Sequence, residues 1–288
     1  RYDPERLELS TRDRVSMAIA EEVRQGRGTP GGGVYMDMTY QEPGFIAKMT
    51  PALHSTYMNM GLDPEKDRIE VAPTVHHFMG GMVVDASWSS NVPGLFGAGE
   101  ACGGMHGANR LSQNALAEII VSGMTAGESA ARYSANLPPS FADPAEAESE
   151  EHKVRALLSS EAGETPGEVR EKLRKTMGEN GGVFRSKESL EKALAHIAEL
   201  KATPLRIRQK DTAMNRELIE ALETENMLKT AEAVARSALA REESRGAHFR
   251  EDFPEADDGR FMKNFYVAEG KDGLEVYSKS AGMKGASA

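Results

Sequence analysis

The sequence contains one cysteine, Cys102, and one tryptophan. A single thiol excludes an internal disulfide and any four-cysteine zinc or iron–sulfur site built from this chain alone. Basic residues are outnumbered, 35 lysines and arginines against 45 aspartates and glutamates, for a net charge of −10. That balance lacks the basic field that phosphate backbones require, so no nucleic-acid partner is expected. No window approaches 18 consecutive apolar residues, so no segment is expected to span a bilayer. HExxH and HxH are missing, and no metal site is expected. The glycine-rich βαβ unit that usually opens a flavin- or nicotinamide-binding domain is missing too.

What is present describes a globular chain of 288 residues, 39% hydrophobic and 28% charged, long enough for one large domain or two to three small ones. Ser10-Thr11 precede Val15, Ala18, Ile19 and Val23 at helical spacing, predicting an amphipathic helix that ends at Gly26 and Gly28. Val34–Met38 alternates like a strand, and Pro43–Met60 reads as helix. The region 73–98 predicts β structure at Gly81–Asp85 and Gly94–Ala98. A long helix is predicted over 114–134, broken by Leu137–Ser140. From about residue 143 the composition turns to Glu, Ala, Lys, Arg and Leu. Three helical blocks, 144–160, 166–201 (interrupted at 178–182) and 212–242, predict an antiparallel bundle. A hairpin around Phe265–Val276 and a disordered Gly/Ala/Ser tail complete the reading.

Four stretches could carry chemistry. Gly94–Glu100 reads as a short strand ending in Gly97-Ala-Gly99-Glu100. It is either a tight turn or a carboxylate at the carboxyl end of a strand, where ribose hydroxyls can be bound. Met105-His-Gly-Ala-Asn-Arg110 runs into Asn114-Ala-Leu-Ala117, which opens a helix. It is either a structural loop capped by Asn109 or Asn114, or an anion site joining Arg110 to helix amides. His76 and His77, ahead of Gly80-Gly81, would face opposite sides of a strand, so at most one serves a given site. Arg12 in a helix first turn opposes the macrodipole; it either pairs at the surface or is placed there for another purpose.

Taken in order, Thr11-Arg-Asp-Arg-Val-Ser16, Pro73-Thr-Val-His76 with Met79-Gly-Gly81, Gly94–Glu100, His106-Gly-Ala-Asn-Arg-Leu111 with Asn114, and Ala240-Arg-Glu-Glu-Ser-Arg-Gly-Ala-His248 form a specific set. The chain resembles the flavoprotein subunit of the succinate dehydrogenase and fumarate reductase family from about residue 8 to residue 278. The resemblance implies FAD as cofactor and interconversion of succinate and fumarate by hydride transfer at flavin N5. It implies Arg12 as proton donor and acceptor, His76 and Arg110 on a substrate carboxylate, and Glu100 on the FAD ribose. Asn114, Ala115 and Leu116 would lie beside the isoalloxazine, with Gly80 and Gly81 close to it. Two cations suit a dianion in a water-excluded site, and an arginine can deliver a proton repeatedly only if carboxylates reload it.

The implied fold class is α+β. Residues 1–72 would be part of a capping domain, 73–137 part of an FAD-binding α/β domain, 138–250 a helical bundle and 251–288 a small C-terminal region. The family's N-terminal half, with its GxGxxG unit, has no counterpart in these residues. The chain therefore reads as the C-terminal portion of a longer flavoprotein, inactive alone. Leu111-Ser-Gln-Asn114 replaces the more usual Leu-Gly-x-Asn, which bears on how closely the backbone at Ser112 approaches its neighbours. Two alternatives are L-aspartate oxidase and a flavin-free subunit of the same fold. Pro73-Thr-Val-His76 with Met79 favours the dicarboxylate side over the Pro-Ala-Ala-His type of the oxidase, and joint retention of Arg12, His76, Glu100 and Arg110 argues against loss of flavin. The family implies two kinds of partner, an iron–sulfur subunit and a quinone- or thiol-reactive membrane-associated protein. It also implies a cytoplasmic site at the inner face of the cell membrane.

Overall fold

The computed structural model describes residues 2–6, 10–138 and 143–281. The expected break at Leu137–Ser140 follows a helix that ends at Ala135, while its residues 139–140 and the expected tail at 282–288 lie outside the described residues. The chain divides into two compact units, Arg1–Phe78 and Met79–Ala288.

In the first unit, α1 (Arg12–Arg24) follows Thr11 as expected, although Thr11 makes no side-chain cap. The expected strand from Val34 is β1 (Val34–Met36). It pairs antiparallel with β2 (Ile69–Val71), register Tyr35 to Glu70, a strand too short to stand out in the sequence. The expected helix over 43–60 is two: α2 (Phe45–Met49) and α3 (Pro51–Asn59), divided at Thr50 because Pro51 disfavours a helical residue before it. The Glu65 carboxylate caps the start of α2, accepting from the N–H groups of Gly44 at 2.8 Å, Ile46 at 3.2 Å and Ala47 at 3.3 Å. Those backbone donors, Gly44 first, hold its carboxyl below the usual glutamate range. Ile46 and Ile69 are buried.

The second unit corrects one expectation. Gly81–Asp85 and Gly94–Ala98 are not strands; only the bridges Met82 to Cys102 and Ser89 to Phe96 form. Turn chemistry overrides the alternation. Asp85 Oδ1 accepts from the N–H of Ser87 at 2.8 Å and of Ser89 at 3.1 Å, and Trp88 sits at φ +60°. Glu100 accordingly lies in a 3-10 turn, Gly99–Ala101, rather than at a strand end.

Next comes α4 (Asn114–Ala135), which packs through Ser122 and Ala126. Its other face, including Leu116 at 64% and Met124 at 73% exposure, is open. The bundle follows as α5 (Pro144–Ser159), α6 (Pro166–Asn180), α7 (Lys187–Ala202) and α8 (Arg216–Ala240). Each start is capped by a side chain, from Asp143, Thr165, Ser186 and Asn215 respectively; Thr165 and Glu168 form a full capping box. Val169 and Leu173 of α6, Ile197 and Leu200 of α7, and Leu228, Ala231 and Ala235 of α8 make one core. A second joins Ile207, Leu218 and Ala221 to Val154, Leu157 and Leu158 of α5. After α9 (Asp258–Phe261), β3 (Lys263–Gly270) and β4 (Gly273–Ser280) form the expected hairpin, longer than predicted at both ends. Among the described residues, no helix is long and apolar enough to cross a membrane.

Candidate functional site

The sequence-predicted residues fall into two groups. Arg12, the first residue of α1, and His76, on a segment without regular secondary structure, are both exposed and belong to the first unit. His77, on the same segment, is half-buried where His76 is exposed, so the two histidines differ in burial as side chains on opposite sides of the chain do. Gly80, Gly81, Glu100, Arg110, Asn114, Ala115 and Leu116 belong to the second unit.

Within the second unit the backbone brings them together. The Met82 N–H donates to the Ala101 carbonyl at 2.8 Å, and the Gly103 N–H to the Met82 carbonyl at 3.1 Å. This close backbone approach requires glycine on both sides. A Cβ on Gly81 would lie 2.5 Å from the Ala101 oxygen, and one on Gly103 would lie 2.6 Å from the Gly81 nitrogen. The 3-10 turn that presents Glu100 docks on α4, where the Gly99 N–H donates to Ser122 Oγ at 3.0 Å inside the core. Burial, followed by the charge of Glu118, raises the Cys102 thiol. The thiol is thereby kept in its protonated form, as suits a small packing residue.

Arg110 is half-buried, and its backbone N–H donates to Met79 Sδ at 3.1 Å, which ties the arginine loop to the residue ahead of Gly80-Gly81. The next helix begins without a side-chain cap. Gln113 occupies the N-cap position at φ +63° and makes no capping hydrogen bond, and Asn114 is the first helical residue rather than the cap. Turn bonds take two of the first amides: the Asn114 N–H donates to the Leu111 carbonyl at 3.1 Å and the Leu116 N–H to the Gln113 carbonyl at 3.0 Å. The N-cap side chain leaves this helix start uncapped, unlike those of the four bundle helices after it, and such a start carries amides suited to an acceptor. Ser112 is not left-handed, so the departure from the usual glycine there carries no backbone strain. At Gly80, Gly104 and Gly107 a Cβ would meet nothing within 4 Å, so these glycines border open space. These residues fit one side of a flavin. Among the described residues, no three or more His, Cys, Asp or Glu side chains converge as a metal site.

Residues 3–116 match a family described as FAD binding domain, and residues 170–284 match one described as fumarate reductase flavoprotein C-term. The chain belongs to the succinate dehydrogenase and fumarate reductase flavoprotein family. It is 43% identical over 256 residues to a subunit of the fumarate reductase (CoM/CoB) of Methanothermobacter marburgensis, covering 88% of this chain and 46% of the relative. It is 36% identical over 280 residues to the fumarate reductase flavoprotein subunit of Escherichia coli, covering 93% and 46%. Its fold superposes on a chain of the E. coli quinol fumarate reductase with a TM-score of 0.88 at 34% identity, covering 95% of this chain and 49% of that one. The chain thus spans about half the length of the curated relatives it matches.

Sequence reasoning missed several residues of this family's framework here. Met79 stands in the sequence only as part of a motif; its sulfur proves to be the acceptor for the Arg110 N–H. Ser122 beneath Gly99, and the tip Gly246-Ala247 against Ala108, were missed as contacts because nothing in local spacing signals a partner 23 or more residues away.

Proposed function

We propose that this chain carries the dicarboxylate-binding residues and part of the FAD site of a flavoprotein subunit that interconverts succinate and fumarate. The observation that carries the reading is the joint presence, on one unit, of the Met79-tethered Arg110 loop, the Gly81–Gly103 backbone contact, the Glu100 turn and the uncapped start of α4. Glu100 would accept from ribose hydroxyls. The helix start at Asn114, Ala115 and Leu116 would face an electron-rich edge of the isoalloxazine, and Gly80 and Gly81 would pass close to the ring. When bound, FAD supplies the two-electron redox step.

The rest of the chemistry falls to side chains. Arg110 offers a planar fork to one carboxylate, and His76 adds a hydrogen bond to a carboxylate oxygen. Arg12 stands at the positive end of α1, where its charge and the helix dipole add. That combination is costly in isolation and favourable beside a dianion. In this reading Arg12 exchanges the proton on the substrate carbon adjacent to the one that exchanges hydride. Electrons would leave for an iron–sulfur subunit in succinate oxidation and arrive from it in fumarate reduction, with a quinone- or thiol-reactive membrane-associated partner beyond it and the flavoprotein peripheral to the inner face of the cell membrane.

The test is purification of the full-length flavoprotein, followed by its visible spectrum and by turnover with succinate, fumarate and aspartate. A flavin band with succinate and fumarate turnover is expected. A colourless protein sinks the reading, and turnover of aspartate alone transfers it to the oxidase.

A further inference from the structure

The segment Glu243–His248 has no role in the chemistry above, yet it is among the most heavily braced in the molecule. Arg245 and His248 bond to each other through both backbone groups, N–H to carbonyl at 2.8 Å and 3.0 Å, which leaves Gly246 and Ala247 as the tip of a tight turn. On one flank the Arg245 guanidinium grips the fully buried Glu243 carboxylate through Nε and Nη2, both at 2.9 Å, and reaches Asp258 at 2.6 Å. Glu243 also accepts from Arg241 and from the Asp257 N–H at 2.8 Å. On the other flank Arg185 Nη1 donates to His248 Nδ1 at 2.9 Å, and His248 Nε2 lies 3.2 Å from the Arg241 carbonyl. Arg185 is itself bonded to the carbonyls of Gly181 and Gly182.

What the tip touches is the loop that carries Arg110. The Ala247 N–H donates to the Ala108 carbonyl at 3.0 Å, two residues before the arginine. Gly246 has φ +60°, and a Cβ there would sit 2.3 Å from the Ala108 oxygen and 2.5 Å from its carbon. The Arg110 loop has little stiffness of its own, with Gly104 at φ +104° and Gly107 at φ +57°. We infer that the Arg245–His248 turn is a positioning element: its braced tip fixes the backbone of the Arg110 loop and thereby aims the guanidinium that holds the substrate carboxylate. This rests on the reading of Arg110 given above. Rigid placement matters because misplacing a binding group by about 1 Å can cost on the order of 100-fold in rate or affinity.

The test uses the full-length flavoprotein and has two arms. In the first, amide hydrogen exchange on the wild type should show the Ala247 amide and the 104–112 segment protected together. Gly246→Ala should speed exchange in 104–112, whatever the enzyme's activity. In the second, Gly246→Ala should raise KM for succinate and fumarate roughly 10- to 100-fold, with kcat changed by less than about 3-fold and flavin content unchanged. Combined with Arg110→Ala, it should add no further rise in KM. Free-loop exchange of Ala247 in the wild type overturns the clamp even if the variant does not fold. So does an additive double variant, or a Gly246→Ala protein with unaltered KM and exchange. If the wild type binds flavin but turns over neither dicarboxylate, the functional reading falls while the exchange arm still decides the clamp.

Discussion

Acidification should weaken the fold through His248 in a defined pH window. Arg185 can only donate, so the 2.9 Å contact requires Nδ1 to be an acceptor and the ring to be neutral, with its proton on Nε2 toward the Arg241 carbonyl. Burial, then the charge of Arg185 and of Arg241 and Arg250 nearby, pushes the ring down to about 4 from 6.5. Between those values the unfolded chain binds a proton that the folded chain refuses, so stability falls as pH falls. From pH 6.5 to 5.0 the loss is about 1.6 kcal/mol, the slope rising from about 0.7 toward roughly 1.4 kcal/mol per pH unit. The depressed carboxylates contribute at lower pH: Asp252, held at about 2 chiefly by Arg250, and Glu243, which Arg245 and Arg241 lower against the opposing effect of burial. The assay is urea unfolding followed by far-UV circular dichroism at half-unit steps from pH 7.0 to 5.0, comparing wild type with His248→Gln. The wild type should lose stability more steeply by that amount. Parallel pH profiles for the two proteins would refute the reasoning.

Other outcomes follow from single contacts. In the full-length flavoprotein, Arg12→Lys should lower dicarboxylate turnover by on the order of 100- to 10,000-fold and leave the flavin absorption band intact; unchanged turnover removes Arg12 from proton transfer. Arg250→Met removes a side chain that is 1% exposed, pairs with Asp252 and donates to the carbonyls of Ala238, Leu239 and Arg241 at the end of α8. It should cost about 3 kcal/mol in unfolding free energy, and a loss under about 1 kcal/mol would contradict the role of this network. Gln113→Gly relieves a left-handed residue at the start of α4 and should stabilise by up to about 1 kcal/mol by thermal melt. A clear fall in melting temperature would mean that the Gln113 side chain holds a stabilising contact.

The helices were legible where periodicity and caps agree. Thr165-Pro166 with Glu168, and Ser186 with Ser189, write the starts of α6 and α7 into the chain. The hairpin was legible because Lys271-Asp272 separates two β-branched and aromatic runs. The stretch 81–98 was not, because alternation and turn residues compete there. Asp85, with its Asx-type bonds to Ser87 and Ser89, outweighs a pattern whose only pairings are isolated bridges. Of the candidate site, the residue types and their order stood out in HGANR and ESRGAH; the contacts that support them did not.

The sequence by itself determined which elements form and which chemistry is available. Helix periods, capping residues, the order of the motifs and the scarcity of cysteine are all local or compositional properties. Only the tertiary structure decided what those motifs do to one another. It set Ala108 against Gly246, Arg110 against Met79, and Gly81 against Gly103, pairs separated by 138, 31 and 22 positions. Such pairings depend on how far the backbone can approach without a Cβ and on where buried charges find partners. Both are properties of packing across the chain, which no spacing along it encodes.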